Sequence, residues 1–229
     1  MDAQEILEAH GLLDHVDMLQ PLKQGKACVV VADDSGVLLN IKNGGSWILT
    51  VFEEREAPKL VSLINHDGRP VCCHQDFCIP LLEAEGYRKD LSCIQAAYLK
   101  GQPFNEDPTF SFRKIVLADE QQVIRNYHLV SPSYIHERIV SGVLEGVLLD
   151  GELAGFMGCH VEGALGMLEI FPQARRKGLA FALEKHYCNR LLAQGQIPYC
   201  NIVKGNNASI SLHQKLGFSF SVSDITWFD

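Results

Sequence analysis

Six consecutive residues, Arg175-Arg-Lys-Gly-Leu-Ala180, have the chemistry of an anion site. Three cations are followed by a glycine and a small residue at the predicted start of a helix. There the first N–H groups have no intrahelical partner and the helix dipole is positive. Gly178 and Ala180 let backbone approach a ligand closely, so the natural guest is a pyrophosphate. Cations at a helix start are unfavourable without an anion, which strengthens that reading. Just upstream, Glu169 interrupts the apolar strand-like run Met167-Leu-Glu-Ile-Phe171, where a carboxylate is placed to accept a proton. Glu162, in the turn-like Val-Glu-Gly-Ala164, is its rival.

The rest of the chain must position these groups. With 229 residues, it is long enough for one large domain or two small ones, and 47% hydrophobic against 21% charged residues describes a globule. A net charge of −8 argues against a general nucleic-acid partner. No apolar run reaches the about 18 residues of a membrane span, and the acidic Met1-Asp-Ala-Gln-Glu start is unlike a secretion signal, so a cytoplasmic protein with no membrane partner is expected. The eight cysteines fall mostly in apolar runs without paired Cys-x-x-Cys spacing; buried thiols and no metal are expected.

Periodicity predicts a helix over Ala3–Leu13, a hairpin from Lys26 to Ile41, a strand at Ser46–Phe52 and a helix at Ala57–Asn65. A strand at Val71–Cys73, a helix at Asp76–Glu85 closed by Gly86, and a strand at Cys93–Leu99 follow. The polar stretch Gly101–Pro108, with two prolines, marks a boundary between residues 1–108 and 109–229. Beyond it come a strand at Phe112–Leu117, helical segments, a hairpin turning at Asp150-Gly151, and the strand into Phe171. The loop precedes a helix over Leu179–Ala193, a strand at Pro198–Val203, a helix capped by Asn206 or Asn207 and ended by Gly217, and a last strand to Trp227. This is α/β material with a mixed sheet.

Two of these segments, in this order, resemble the Gcn5-related N-acetyltransferase (GNAT) superfamily over Phe112–Asp229. Arg175-Arg-Lys-Gly-Leu-Ala180 is similar to its Arg/Gln-x-x-Gly-x-Gly/Ala loop, and Asn206-Asn-Ala-Ser209 through Leu216-Gly-Phe218 to its later Asn-x-x-Ser…Leu-Gly-Phe segment. The first half repeats the same strand, helix, Gly-aromatic, strand order, with Gly86-Tyr87 standing where Gly217-Phe218 stands. That duplication resembles the two-half glycine N-acyltransferase-like, FR47-like branch. Its first half lacks the phosphate turn, because Glu53-Glu-Arg-Glu-Ala-Pro58 is acidic and has no glycine, so one cofactor site per chain is expected.

The resemblance implies an acyl-CoA N-acyltransferase fold with a degenerate N-terminal half, and an enzyme that moves an acetyl group from acetyl-CoA to a small-molecule primary amine. Leu168, Ile170 and Phe171 would meet the pantetheine arm, Arg175, Arg176, Lys177, Gly178, Leu179 and Ala180 the pyrophosphate, and Asn206 and Ser209 the cofactor's arm. Glu169 or Glu162 would take the ammonium proton. His213 replaces the tyrosine that protonates the departing thiolate in many members, and imidazolium is also a proton donor near neutral pH. No sequence-adjacent base marks Cys159 or Cys200 as a covalent nucleophile, so direct attack in a ternary complex is expected. A homodimer is compatible with the chain. The alternatives are a longer acyl donor with an amino acid such as glycine, or a non-catalytic CoA-binding or sensing module.

Overall fold

The computed structural model describes residues 1–229. The first half runs α1 (Ala3–Ala9), α2 (Val16–Lys23), β1 (Ala27–Asp33), β2 (Gly36–Ile41), β3 (Trp47–Val51), α3 (Ala57–Val61), β4 (Val71–Cys73), α4 (Ile79–Ala84) and β5 (Lys89–Ala97). The second runs β6 (Ser111–Lys114), α5 (Glu120–Asn126), α6 (Pro132–Val140), β7 (Glu145–Leu149), β8 (Glu152–Cys159), β9 (Leu165–Ile170), α7 (Leu179–Ala193), β10 (Tyr199–Val203), α8 (Asn207–Leu216) and β11 (Ser219–Phe228). Strands and helices alternate as the sequence predicts. Helix α2 is the element that periodicity misses: it is only eight residues long and Pro21 lies inside it.

The chain forms two compact units. One holds residues 1–98, 161–163 and 199–229, and the other holds 99–160 and 164–198. The first unit carries strands in the order β1-β2-β3-β4-β11-β5-β10. The β3 and β4 pair is parallel, whereas the remaining pairs are antiparallel. Closing strands are exchanged here. β5, from the first half, pairs with β10 (Tyr199 opposite Ala97), while β11, from the second half, pairs with β4 (Thr226 opposite Cys73). Each half lends its last strand to the other, and the two lent strands pair together. This accounts for residues 199–229 grouping with the first hundred. It also fits the internal repeat: β4, α4, Gly86-Tyr87 and β5 match β10, α8, Gly217-Phe218 and β11, and both glycines have positive φ (92° and 78°).

Two apolar clusters hold this unit together. One joins Leu38, Leu49, Val51, Leu60 and Leu82, and the other joins Leu7, Met18, Leu19, Leu39, Ile48 and Ile225.

The second unit carries β9-β8-β7-β6, all antiparallel. Asp150 and Gly151 both have positive φ (53° and 84°), the requirement of a two-residue type I′ hairpin turn between β7 and β8. Ile135, Ile139, Leu144, Phe156, Met167 and Phe171 form its core.

His186 on α7 ties the 104–106 segment to the sheet. Its Nδ1 lies 2.9 Å from Glu106 and its Nε2 3.1 Å from Glu145, which Arg190 also engages, and its ring stacks on Phe112. Hydrogen bonding to Glu145, ahead of that to Glu106, raises the imidazole above its ordinary value against the effect of burial. A raised histidine contributes stability that is complete below its unfolded value of about 6.5 and is lost as pH rises through the folded value. Urea midpoints of wild type are therefore expected to fall above pH 6.5 relative to those of His186→Gln; parallel profiles would contradict this.

Candidate functional site

The phosphate-type loop is built where β9 ends. Phe171, Ala174 and Leu179 are buried and anchor it, whereas Arg175, Arg176, Lys177 and Gly178 are exposed. Pro172–Ala174 makes a 3-10 turn, and Arg176 and Gly178 then take left-handed backbone (φ 66° and 80°). Alternating backbone hands in this way turn successive N–H groups into an anion-binding concavity. Gly178 is the N-cap of the 15-residue α7, and no side chain caps that helix. The N–H groups of its first turn are thus left for a ligand. Arg176 and Lys177 pair with no carboxylate.

Arg175 is committed differently. Its Nε donates to the Ile170 carbonyl (2.9 Å) and its Nη2 to Glu169 (2.8 Å), tying the loop to the strand end. Glu169 is half-buried and stands opposite Phe156 of β8. Just before it, Met167 has positive φ (55°), and the β8–β9 register slips between Glu169 and Gly166. Met167 and Leu168 thus form a bulge, a device that re-aims side chains next to sites. Burial, and secondarily the Glu169 carboxylate, push the Tyr127 hydroxyl up to about 12, so a neutral phenol accompanies Glu169. Sequence reasoning missed this tyrosine because it closes α5, far away in the chain. Beside the loop is a hollow of about 210 Å³ lined by Phe110, Phe112, Gly178, Phe181, Asp107 and Lys185.

In the other unit, Asn206 caps α8 by accepting from the Ser209 N–H (3.1 Å), and Gly217 ends it in left-handed geometry. His213 is buried on this helix. Its Nδ1 lies 2.8 Å from the Ser209 carbonyl, which can only accept, so Nδ1 carries the proton. Nε2 then accepts from the Cys200 thiol at 3.1 Å. Both ring nitrogens of neutral His213 are therefore engaged, and none presents a spare proton. Glu162 lies in the turn after β8, where its carbonyl accepts from the Tyr199 hydroxyl (3.0 Å).

The model of the FR47-like protein family matches residues 140–227, a span that includes the loop, α7 and the capped α8. Solved structures share the fold. A Drosophila protein is similar over 84% of this chain and 73% of its own, with TM-score 0.66 and 16% identity. A GCN5-related N-acetyltransferase from Kribbella flavida matches over 96% of both chains (TM-score 0.61, 12% identity), and a GCN5-related N-acetyltransferase-like protein from Streptococcus suis over 100% of both (0.58, 12%). No curated protein matches the sequence.

Residues 140–227 thus match the FR47-like family, and the chain shares its fold with Gcn5-related N-acetyltransferases.

The first half has no counterpart of the loop. Glu53–Pro58 folds as a 3-10 turn and a five-residue helix, with Arg55 paired to Glu53 and Glu56. The helix is too short, and the surroundings too acidic, for a second pyrophosphate. In the second half the left-handed Gly178 is the tightest constraint on the loop. Gly178→Val places a β-branched residue at φ 80°, a strain of about 1–3 kcal/mol. The loop is expected to relax, weakening the binding of a pyrophosphate ligand roughly tenfold. Equal affinity in the variant, by titration calorimetry, would contradict a role for this geometry. No helix is long and apolar enough to cross a membrane.

Proposed function

We propose that this protein is a Gcn5-related N-acetyltransferase that transfers an acetyl group from acetyl-CoA to the primary amine of a small-molecule acceptor by direct attack in a ternary complex. The observation that carries the reading is the uncapped N-terminus of α7, with left-handed Arg176 and Gly178 and two unpaired cations. In this reading Arg176, Lys177 and the N–H groups through Ala180 hold the pyrophosphate, with Arg175 bracing the loop from the strand. Backbone at Leu168, Ile170 and Phe171 meets the pantetheine arm.

The amine must lose a proton to attack. Glu169, which pairs with Arg175, takes it, and the nitrogen lone pair adds to the thioester carbonyl. As the tetrahedral oxyanion collapses and the C–S bond breaks, the nitrogen loses its second proton, leaving a neutral amide, and the departing CoA thiolate takes that proton through water because His213 has no free donor. A second reading, a non-catalytic CoA-binding or sensing module, is favoured by the same engagement of Glu169 and His213.

The test is release of free CoA from acetyl-CoA over a panel of small amines that includes glycine, repeated with longer acyl-CoAs. Amine-dependent release supports transfer and identifies the acyl length. Binding without release for every pair would favour the non-catalytic reading.

A further inference from the structure

Away from the loop, in the first unit, α2 brings Asp17 to Cys72 of β4 and to His74, the residue that follows β4. One ligand-capable atom from each of the three lies within 4.8 Å of the other two. All three residues are buried, Asp17 and Cys72 completely. An aspartate so placed needs partners for both oxygens, since an incompletely satisfied buried carboxylate is costly. Oδ2 meets a His74 ring nitrogen at 3.0 Å, but Oδ1 is buried with no hydrogen-bond partner. The neighbouring polar groups are spoken for: His15 bonds the Gly11 carbonyl and Thr50, and Gln75 bonds Thr50 and the Val51 N–H.

We propose that Asp17, Cys72 and His74 bind a zinc ion. The donor set of one thiolate, one imidazole and one carboxylate is the set zinc takes, and tetrahedral coordination sets ligand atoms roughly 3.3–3.8 Å apart, within reach of small side-chain rotations. The charges balance: the dication meets one thiolate and one carboxylate, leaving a neutral buried site. On binding, Cys72 gives its thiol proton to solvent, and the His74 nitrogen that ligates gives up its hydrogen bond to Asp17 and offers a lone pair. The orphaned Oδ1 gains the partner it lacks. A water completes the fourth position. Sequence spacing concealed the site because one ligand comes from a helix that periodicity did not predict.

The experiment is a Co(II) titration of the full-length protein, followed by near-ultraviolet thiolate-to-metal charge transfer, with zinc competition and metal content after dialysis. Wild type should show the band at about one metal per chain, and zinc should abolish it. Cys28→Ser, which removes the exposed thiol, should retain it, whereas Cys72→Ser should lose it. The isosteric Asp17→Asn should weaken Co(II) binding at least about tenfold, with folding checked by the fluorescence of Trp47 and Trp227. No band in wild type, or a band that survives Cys72→Ser, would overturn the proposal. Neither result depends on acyl transfer.

Discussion

Glu169→Gln is expected to lower turnover by about a hundredfold or more while leaving acetyl-CoA affinity nearly unchanged. The amide has the shape of the carboxylate but cannot take the ammonium proton. The loop should survive the change, because Arg175 keeps its bond to the Ile170 carbonyl when its ion pair is lost. Steady-state kinetics and calorimetry separate the effects: a loss in kcat with constant affinity assigns Glu169 to chemistry, and a loss of affinity alone assigns it to bracing the loop. Unchanged turnover would remove it as the base and leave Glu162 as the remaining carboxylate to test.

Gly155→Val is expected to be the most damaging single change to the second unit, at about 3 kcal/mol. A Cβ at this position of β8 would stand 2.6 Å from the Glu169 carbonyl oxygen and 3.0 Å from the Ile170 Cα. Both are backbone atoms, so no side-chain rotation relieves the clash. The strand that must yield is β9, which ends in the pyrophosphate loop and is pinned by the fully buried Phe171. The urea midpoint should fall, and acetyl-CoA affinity with it. A midpoint equal to that of wild type would show that β9 can shift without cost.

How much of this was legible in the sequence follows from the range of each interaction. Local features were plain: the Leu179–Ala193 helix, the Asp150-Gly151 turn, the Asn206 cap and the Gly217 stop each depend on residues within a few positions. The repeat Gly86-Tyr87 and Gly217-Phe218 was also visible, but not the exchange of β5 and β11 that it accompanies. Strand exchange leaves the pattern of each strand untouched and changes only its neighbour. For that reason the division by motif at residue 108 and the division by compactness, which places 199–229 with the first hundred residues, run differently.

The site candidates show the same limit. Glu169 and Arg175 are six residues apart across a proline turn, so their contact follows from the shape of the turn and not from their spacing. The contact of Cys200 with His213 joins a strand to a helix, so no adjacent base marked that thiol, and the engaged state of His213 could not be read from its place in a motif. Pro21 and a length of only eight residues hid α2, and with it the approach of Asp17 to Cys72 and His74.

The central claim is that the loop at the start of α7 holds the pyrophosphate of an acyl-CoA. Calorimetric titration of acetyl-CoA into wild type and into Arg176→Ala/Lys177→Ala tests it most directly, since these two cations are exposed and take no part in holding the loop. Saturable binding at one acetyl-CoA per chain, weakened about tenfold or more in the variant and falling with salt, is the predicted result. No binding to wild type, or equal binding to both proteins, would contradict it.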